Sequence, residues 1–130
     1  GCVFVADLMR AIDLPLCVDF LSISSYTEKS ETGAVRIMKD LDIDITNRDV
    51  LVVEDIIDTG LSINYIEQLI KEHTPASMKV ATLLVKPESL KYDVQIDYIG
   101  FKIPNKFVIG YGLDYAQKYR NLSSIYVLSE

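Results

Sequence analysis

The run DVLVV at positions 49–53 restricts the fold more than any other stretch of the chain. It is short, apolar and β-branched, as a strand buried on both faces of a parallel sheet must be. It leads into EDIIDTGLS. Ile63, Ile66, Leu69 and Ile70 then recur at helical spacing until His73, Thr74 and Pro75 close the helix. KVATLLV at 79–85 is the next apolar run, so residues 49–85 read as one βαβ unit with a right-handed crossover. Before it, Val5, Leu8, Met9 and Ile12 mark one face of a helix that ends at Leu14 and Pro15. Residues 16–22 (LCVDFLS) read as a buried strand, 24–33 as a polar loop and 35–39 as a short strand. Shorter strand candidates follow at 96–101, 106–109 and 124–128. Strands alternating with helices predict an α/β fold with a mostly parallel sheet, in a single domain over residues 1–130. In such sheets ligands bind outside the carboxyl ends of the strands, so the end of 49–53 is where a site is expected.

Composition narrows the function. Thirteen basic residues against nineteen acidic ones leave a net charge of −6, which argues against a nucleic-acid-binding surface. A phosphate ligand stays compatible, because backbone N–H groups and a few local cations suffice for one. No window of 18 consecutive apolar residues suggests a membrane span, and no secretory leader is evident. Cys2 and Cys17 sit in apolar stretches at no metal-binding spacing. They are expected to be buried thiols in a reducing cytoplasm.

The strand-to-helix connection carries the chemistry. Glu54, Asp55 and Asp58 put three acids in five residues, which repel unless a cation or hydrogen-bond donors stand nearby. Thr59, Gly60, Leu61 and Ser62 then open a helix whose free N–H groups and positive dipole end suit a phosphate. Gly60 permits a tight turn and close approach of a ligand. Acids beside such a phosphate site suit sugar hydroxyls or a Mg²⁺ with its waters. On the DTG tripeptide alone, a helix cap at Thr59 or Ser62 and a solvated acidic turn would explain the residues equally well. The longer string is more specific, and neither GxxxxGK[ST] nor GxGxxG is present.

LVVEDIIDTGLS, residues 51–62, closely resembles the phosphoribosyl-pyrophosphate motif of the phosphoribosyltransferases, in the form of the hypoxanthine-guanine branch. Further pieces match in family order: Ser25-Tyr26, Lys86, Lys106-Phe107-Val108, Leu113-Asp114-Tyr115 and Arg120. The resemblance implies a type I phosphoribosyltransferase fold, a central sheet flanked by helices with a small hood near the C-terminus. It implies transfer of a phosphoribosyl group to N9 of a 6-oxopurine with Mg²⁺. Glu54 and Asp55 would then hold the ribose hydroxyls and the metal, with Asp114 as a further metal ligand. Asp58 would be the general base or acid at purine N7. Thr59, Gly60, Leu61 and Ser62 would bind the 5′-phosphate. Lys86 would select the 6-oxo group, Phe107 would stack on the base, and the Val108 backbone would meet its other edge. Gly1 and Arg120 would contact pyrophosphate, and Ser25 and Tyr26 would belong to a closing lid.

Taken outside that pattern, Lys86 and Arg120 read as solvated charges, Phe107 as core and Asp114 as a turn cap. His73, the only histidine, reads as a helix C-terminal residue, which leaves no histidine-based triad. The resemblance also implies an earlier segment with an N-terminal strand and a Leu-Lys-Gly pyrophosphate loop, whose last residue Gly1 resembles. The chain therefore reads as a fragment, expected to be poorly stable and weakly active alone. A cytoplasmic homodimer or homotetramer is expected by resemblance only. The competing readings are a nucleotide-sensing regulator that binds RNA or DNA, which the acidic balance disfavours, and a xanthine- or adenine-preferring transferase.

Overall fold

Helix α1 (Cys2–Ala11) opens the chain, followed by a hairpin of β1 (Ser22–Ser25) and β2 (Val35–Lys39). The unit β3 (Asp49–Ile57), α2 (Leu61–Glu72) and β4 (Ser77–Val85) comes next, then β5 (Tyr98–Lys102), β6 (Val108–Ile109) and β7 (Tyr126–Val127). The structure is a computed structural model that describes residues 1–25 and 35–129. β3, β4 and β5 form a parallel sheet in that order, with Asp49 opposite Ser77, Ile57 opposite Val85, and Ala81 opposite Tyr98. β6 and β7 pair antiparallel in the C-terminal hood. The α/β expectation holds, and the parallel strands are the ones that carry the motif.

The predicted helix face packs as read. Ile63, Ile66 and Ile70 of α2 are buried with Ile45, Ile57, Val80 and Val85. Each such side chain stabilises the fold by about 1.5–3 kcal/mol relative to exposure. Val50, Val52 and Met78 pack against this cluster from the sheet. On the other side, Phe4 and Leu8 of α1 and Leu83 of β4 border a cavity of about 440 Å³. α1 itself contributes no buried residue, and Ile12 falls outside it as its C-cap.

Three expectations are corrected. Residues 16–22 are not a buried strand: pairing begins only at Ser22, and Phe20 is 49% exposed. The reason is Asp19. Its carboxylate accepts backbone N–H bonds from Phe20, Asp42 and Ile43 at 2.8, 2.7 and 2.9 Å, which takes the Phe20 donor and fastens the segment to residues 42–43. Those bonds, led by Ile43, hold its pKa down to about 2 against the opposing effect of burial. Second, Cys2 and Cys17 are exposed free thiols, because α1 buries none of its residues and Cys17 lies in the unpaired segment, beside Arg48 Nη2 at 3.4 Å. Third, β3 does not stop at Val53. It continues through Glu54 and Asp55 to Ile57, since Glu54 and Ile56 keep their partners Thr82 and Leu84 on β4.

Candidate active site

The extension of β3 changes how its acids are held. As strand neighbours, Glu54 and Asp55 leave the chain on opposite faces. Glu54 is half-buried, and burial together with the adjacent Asp55 charge pushes its pKa up to about 7. Asp55 turns toward the start of α1, where its Oδ2 lies 3.3 Å from the Gly1 nitrogen. The connection to α2 is thereby only Asp58, Thr59 and Gly60.

Gly60 is the N-cap of α2, at φ +88°, with no side chain capping the helix. The Thr59 hydroxyl instead accepts the Leu61 N–H at 3.3 Å, a local turn within the loop. A Cβ on Gly60 would sit in a left-handed conformation 3.4 Å from Tyr92 Cβ and 3.5 Å from Leu90 Cδ2. The Thr59 carbonyl accepts N–H bonds from Lys91 and Tyr92 at 2.8 and 3.3 Å. The segment after β4 thus braces the turn, a contribution with no motif or periodicity to reveal it in the sequence. Leu61 is half-buried and Ser62 exposed at the mouth of the helix.

Lys86 stands one residue past β4 and is only 6% exposed. Its backbone N–H donates to the Ile57 carbonyl at 3.0 Å, and its Nζ donates to Asp58 Oδ2 at 3.2 Å. An ammonium removed from water needs such a partner. Neighbouring strand ends therefore present a cation and a carboxylate side by side. Lys86 is no solvated charge, as it would read outside the motif pattern.

The remaining candidates lie in the hood. Phe107 is exposed and meets Tyr115 edge-on at 5.7 Å between centroids, while its carbonyl accepts the Leu128 N–H at 2.8 Å. Val108 is half-buried in β6, paired with Val127. Asp114 Oδ2 accepts the Gln117 N–H at 2.9 Å, and its Oδ1 lies 3.4 Å from Arg120 Nη2. Arg120 also donates from Nη1 to the Gly112 carbonyl at 2.8 Å. Asp114 and Arg120 are thus brought together, and Glu54, Asp55, Asp58, Thr59, Gly60, Lys86 and Gly1 gather at the ends of β3 and β4. Among the described residues, no three acidic, histidine or cysteine side chains converge as a ligand cluster. Ser25 ends β1, and Tyr26 lies outside the described residues. Sequence reading also missed Tyr111, whose hydroxyl donates to Asp7 of α1; that bond raises its pKa and keeps the phenol protonated. His73 caps the end of α2, as expected. No helix among the described residues is long and apolar enough to cross a membrane.

Comparison with known proteins points the same way. Residues 1–116 match the phosphoribosyl transferase domain. The chain is 50% identical over 123 residues to a hypoxanthine-guanine phosphoribosyltransferase of Mycobacterium bovis, covering 94% of this chain and 61% of that protein. It is 48% identical over 126 residues to the protein of that name from Bacillus subtilis, covering 96% and 70%. A crystal structure of a hypoxanthine-guanine phosphoribosyltransferase from Bacillus anthracis superposes with a TM-score of 0.93 at 46% identity, over 98% of this chain and 76% of that one. The chain thus spans about three-fifths of the mycobacterial relative's length.

Proposed function

Because the chain belongs to the phosphoribosyl transferase domain family, we propose that it acts in purine salvage, transferring the 5-phosphoribosyl group of phosphoribosyl pyrophosphate to N9 of hypoxanthine or guanine. The observation that carries this reading is the buried Lys86 paired with Asp58 at 3.2 Å. A 6-oxopurine carries its oxo acceptor and N7 on one edge. The Lys86 ammonium donates to the oxo group while the Asp58 carboxylate accepts the N7 proton, so the base replaces the ion pair contact by contact. Adenine offers an amino donor to Lys86, and two donors face each other unpaired.

In the reaction the N9–C1′ bond forms and the bond from C1′ to the pyrophosphate oxygen breaks. Glu54 and Asp55 hold the ribose hydroxyls, and Thr59, Gly60, Leu61 and Ser62 hold the 5′-phosphate at the uncapped start of α2. Asp58 takes the purine proton as positive charge develops on the ribose ring. Phe107 covers the base, the Val108 backbone meets its far edge, and Gly1 and Arg120 receive the pyrophosphate.

We take the metal to be Mg²⁺ because the candidate donors are carboxylate oxygens, which suit a hard cation. Glu54, whose pKa burial and the neighbouring Asp55 charge push up to about 7, would be relieved by a divalent cation beside it. Glu54 and Asp55 would hold one ion through its waters and Asp114 a second, and these would supply neutralisation of the leaving pyrophosphate. By resemblance to its family, we take it to be a cytoplasmic enzyme that assembles as a homodimer or homotetramer.

The test is nucleotide formation from phosphoribosyl pyrophosphate with hypoxanthine, guanine, xanthine and adenine in turn, with and without Mg²⁺. We expect kcat/KM for adenine to be at least about a hundredfold below that for hypoxanthine. Equal use of adenine would overturn the role of Lys86, and no product with any base would overturn the function.

A further inference from the structure

We propose that Tyr111 and Asp7 form a strut that sets the hood, and with it Asp114 and Arg120, against the strand ends, so that both are positioning residues for the leaving-group half of the site. This rests on the phosphoribosyl transfer proposed above. The observations lie along one helix. At its start, Gly1 packs beside Asp55 of β3, where a Cβ on Gly1 would stand 4.0 Å from Asp55 Cγ. Val3, two residues on, fits against Gly112, where a Cβ would come within 3.1 Å of Val3 Cγ2. Asp7, one turn beyond Val3 and on the same face, accepts the Tyr111 hydroxyl, joining residues 104 positions apart. α1 therefore touches the strand end first and the hood next, with consecutive turns.

The hood backbone explains why this contact matters. Gly110, Tyr111 and Gly112 have φ of +92°, +52° and +92°. A tyrosine between two glycines is unfavourable in the left-handed region and keeps that conformation only when its surroundings impose it. Tyr111 N–H donates to the Leu122 carbonyl at 2.8 Å and Gly112 N–H to the Arg120 carbonyl at 2.9 Å. The Arg120 guanidinium returns to the Gly112 carbonyl and also reaches Asp114. A shift of Tyr111 is thus carried through Gly112 to Arg120 and Asp114. Phe107 touches this segment only at the Tyr115 ring edge among its ring contacts and has anchors of its own in Leu128 and the β6–β7 pairing. Arg10 Nη1, 3.3 Å from Asp7 Oδ1, steadies the carboxylate that receives the phenol.

The experiment compares Tyr111→Phe, Asp7→Ala, the double variant and Asp7→Asn in the whole enzyme. Tyr111→Phe should raise KM for phosphoribosyl pyrophosphate about five- to tenfold while KM for hypoxanthine stays within about twofold, since one hydrogen bond acting on one half of the site is lost. Asp7→Ala should match it, the double variant should be no worse than either single one, and Asp7→Asn, which keeps an acceptor oxygen, should approach wild type. Amide hydrogen exchange at Gly112 should accelerate in Tyr111→Phe and Asp7→Ala and stay slow in Asp7→Asn. Additive effects, equal changes in both KM values, or unchanged exchange at Gly112 would overturn the strut. If the wild type forms no nucleotide, the transfer reading alone fails, and the exchange data still decide the strut.

Discussion

Replacing Asp58 by Asn tests the pairing that carries the proposed function, and its size follows from the unequal burial of the partners. Lys86 is 6% exposed, whereas the Asp58 side chain is 51% exposed. Removing one member of a fully buried pair costs about 3–5 kcal/mol, because the other charge is stranded. Here water reaches one side of the pair, and Asn keeps an acceptor oxygen near Nζ, so screening reduces the cost to about 1–2 kcal/mol. For a domain of this size that lowers Tm by about 3–10 °C. The opposite truncation behaves differently. Lys86→Met removes the buried charge and leaves Asp58 facing water, so stability should change by no more than about 1 kcal/mol. Activity separates the two as well. Asp58→Asn should lower kcat about a hundredfold with little change in KM for phosphoribosyl pyrophosphate, while Lys86→Met should raise KM for the purine about tenfold or more. Thermal unfolding and steady-state kinetics on the same preparations measure both. An unchanged kcat in Asp58→Asn would remove Asp58 from the chemistry, and equal Tm losses in both variants would refute the argument from unequal burial.

Gly60→Ala should lower stability by about 1 kcal/mol or more, through its positive φ, and raise KM for phosphoribosyl pyrophosphate; unfolding titrations and kinetics check this, and an unaltered KM would separate the turn from the phosphate site. Glu54 has a folded pKa raised to about 7 by burial and by Asp55, so its contribution to stability is fully present below its ordinary value of 4.5 and is lost as pH rises to about 7. Denaturation midpoints across that window should fall for the wild type and lose that component in Glu54→Gln; parallel profiles would refute the shift. Ile63→Ala, at a side chain 1% exposed, should cost about 2–5 kcal/mol by urea unfolding, and a loss under about 1 kcal/mol would contradict its place in the core.

The legible parts of the fold were those written locally. DVLVV, the isoleucine spacing of α2 and the run at 79–85 are each contiguous, so the βαβ unit follows from periodicity alone. The end of β3 was misjudged because Glu54 and Asp55 have weak strand preference. The pairing of Glu54, Ile56 and Ile57 with β4 overrides it. Residues 16–22 read as a strand by composition, yet the Asp19 carboxylate takes the Phe20 N–H and fastens the segment to Asp42 and Ile43, a contact more than twenty residues away. The Lys86–Asp58 pair spans 28 residues and the Tyr111–Asp7 bond 104, and no spacing rule reaches across such separations. The resemblance to a family named Lys86 and Asp58 as functional residues, but their contact with each other is a product of adjacent strand ends.

Placing Glu54 on the ladder has a mechanical consequence. A residue on a hydrogen-bonded strand inherits that strand's rigidity, whereas Phe107 and Tyr115 are exposed side chains that meet each other edge-on. The strand end is therefore the stiffer half of the candidate site. In the proposed reaction the 6-oxo edge of the base, met by Lys86 and Asp58, would be fixed by that stiff end, while its face would be covered by side chains freer to adjust.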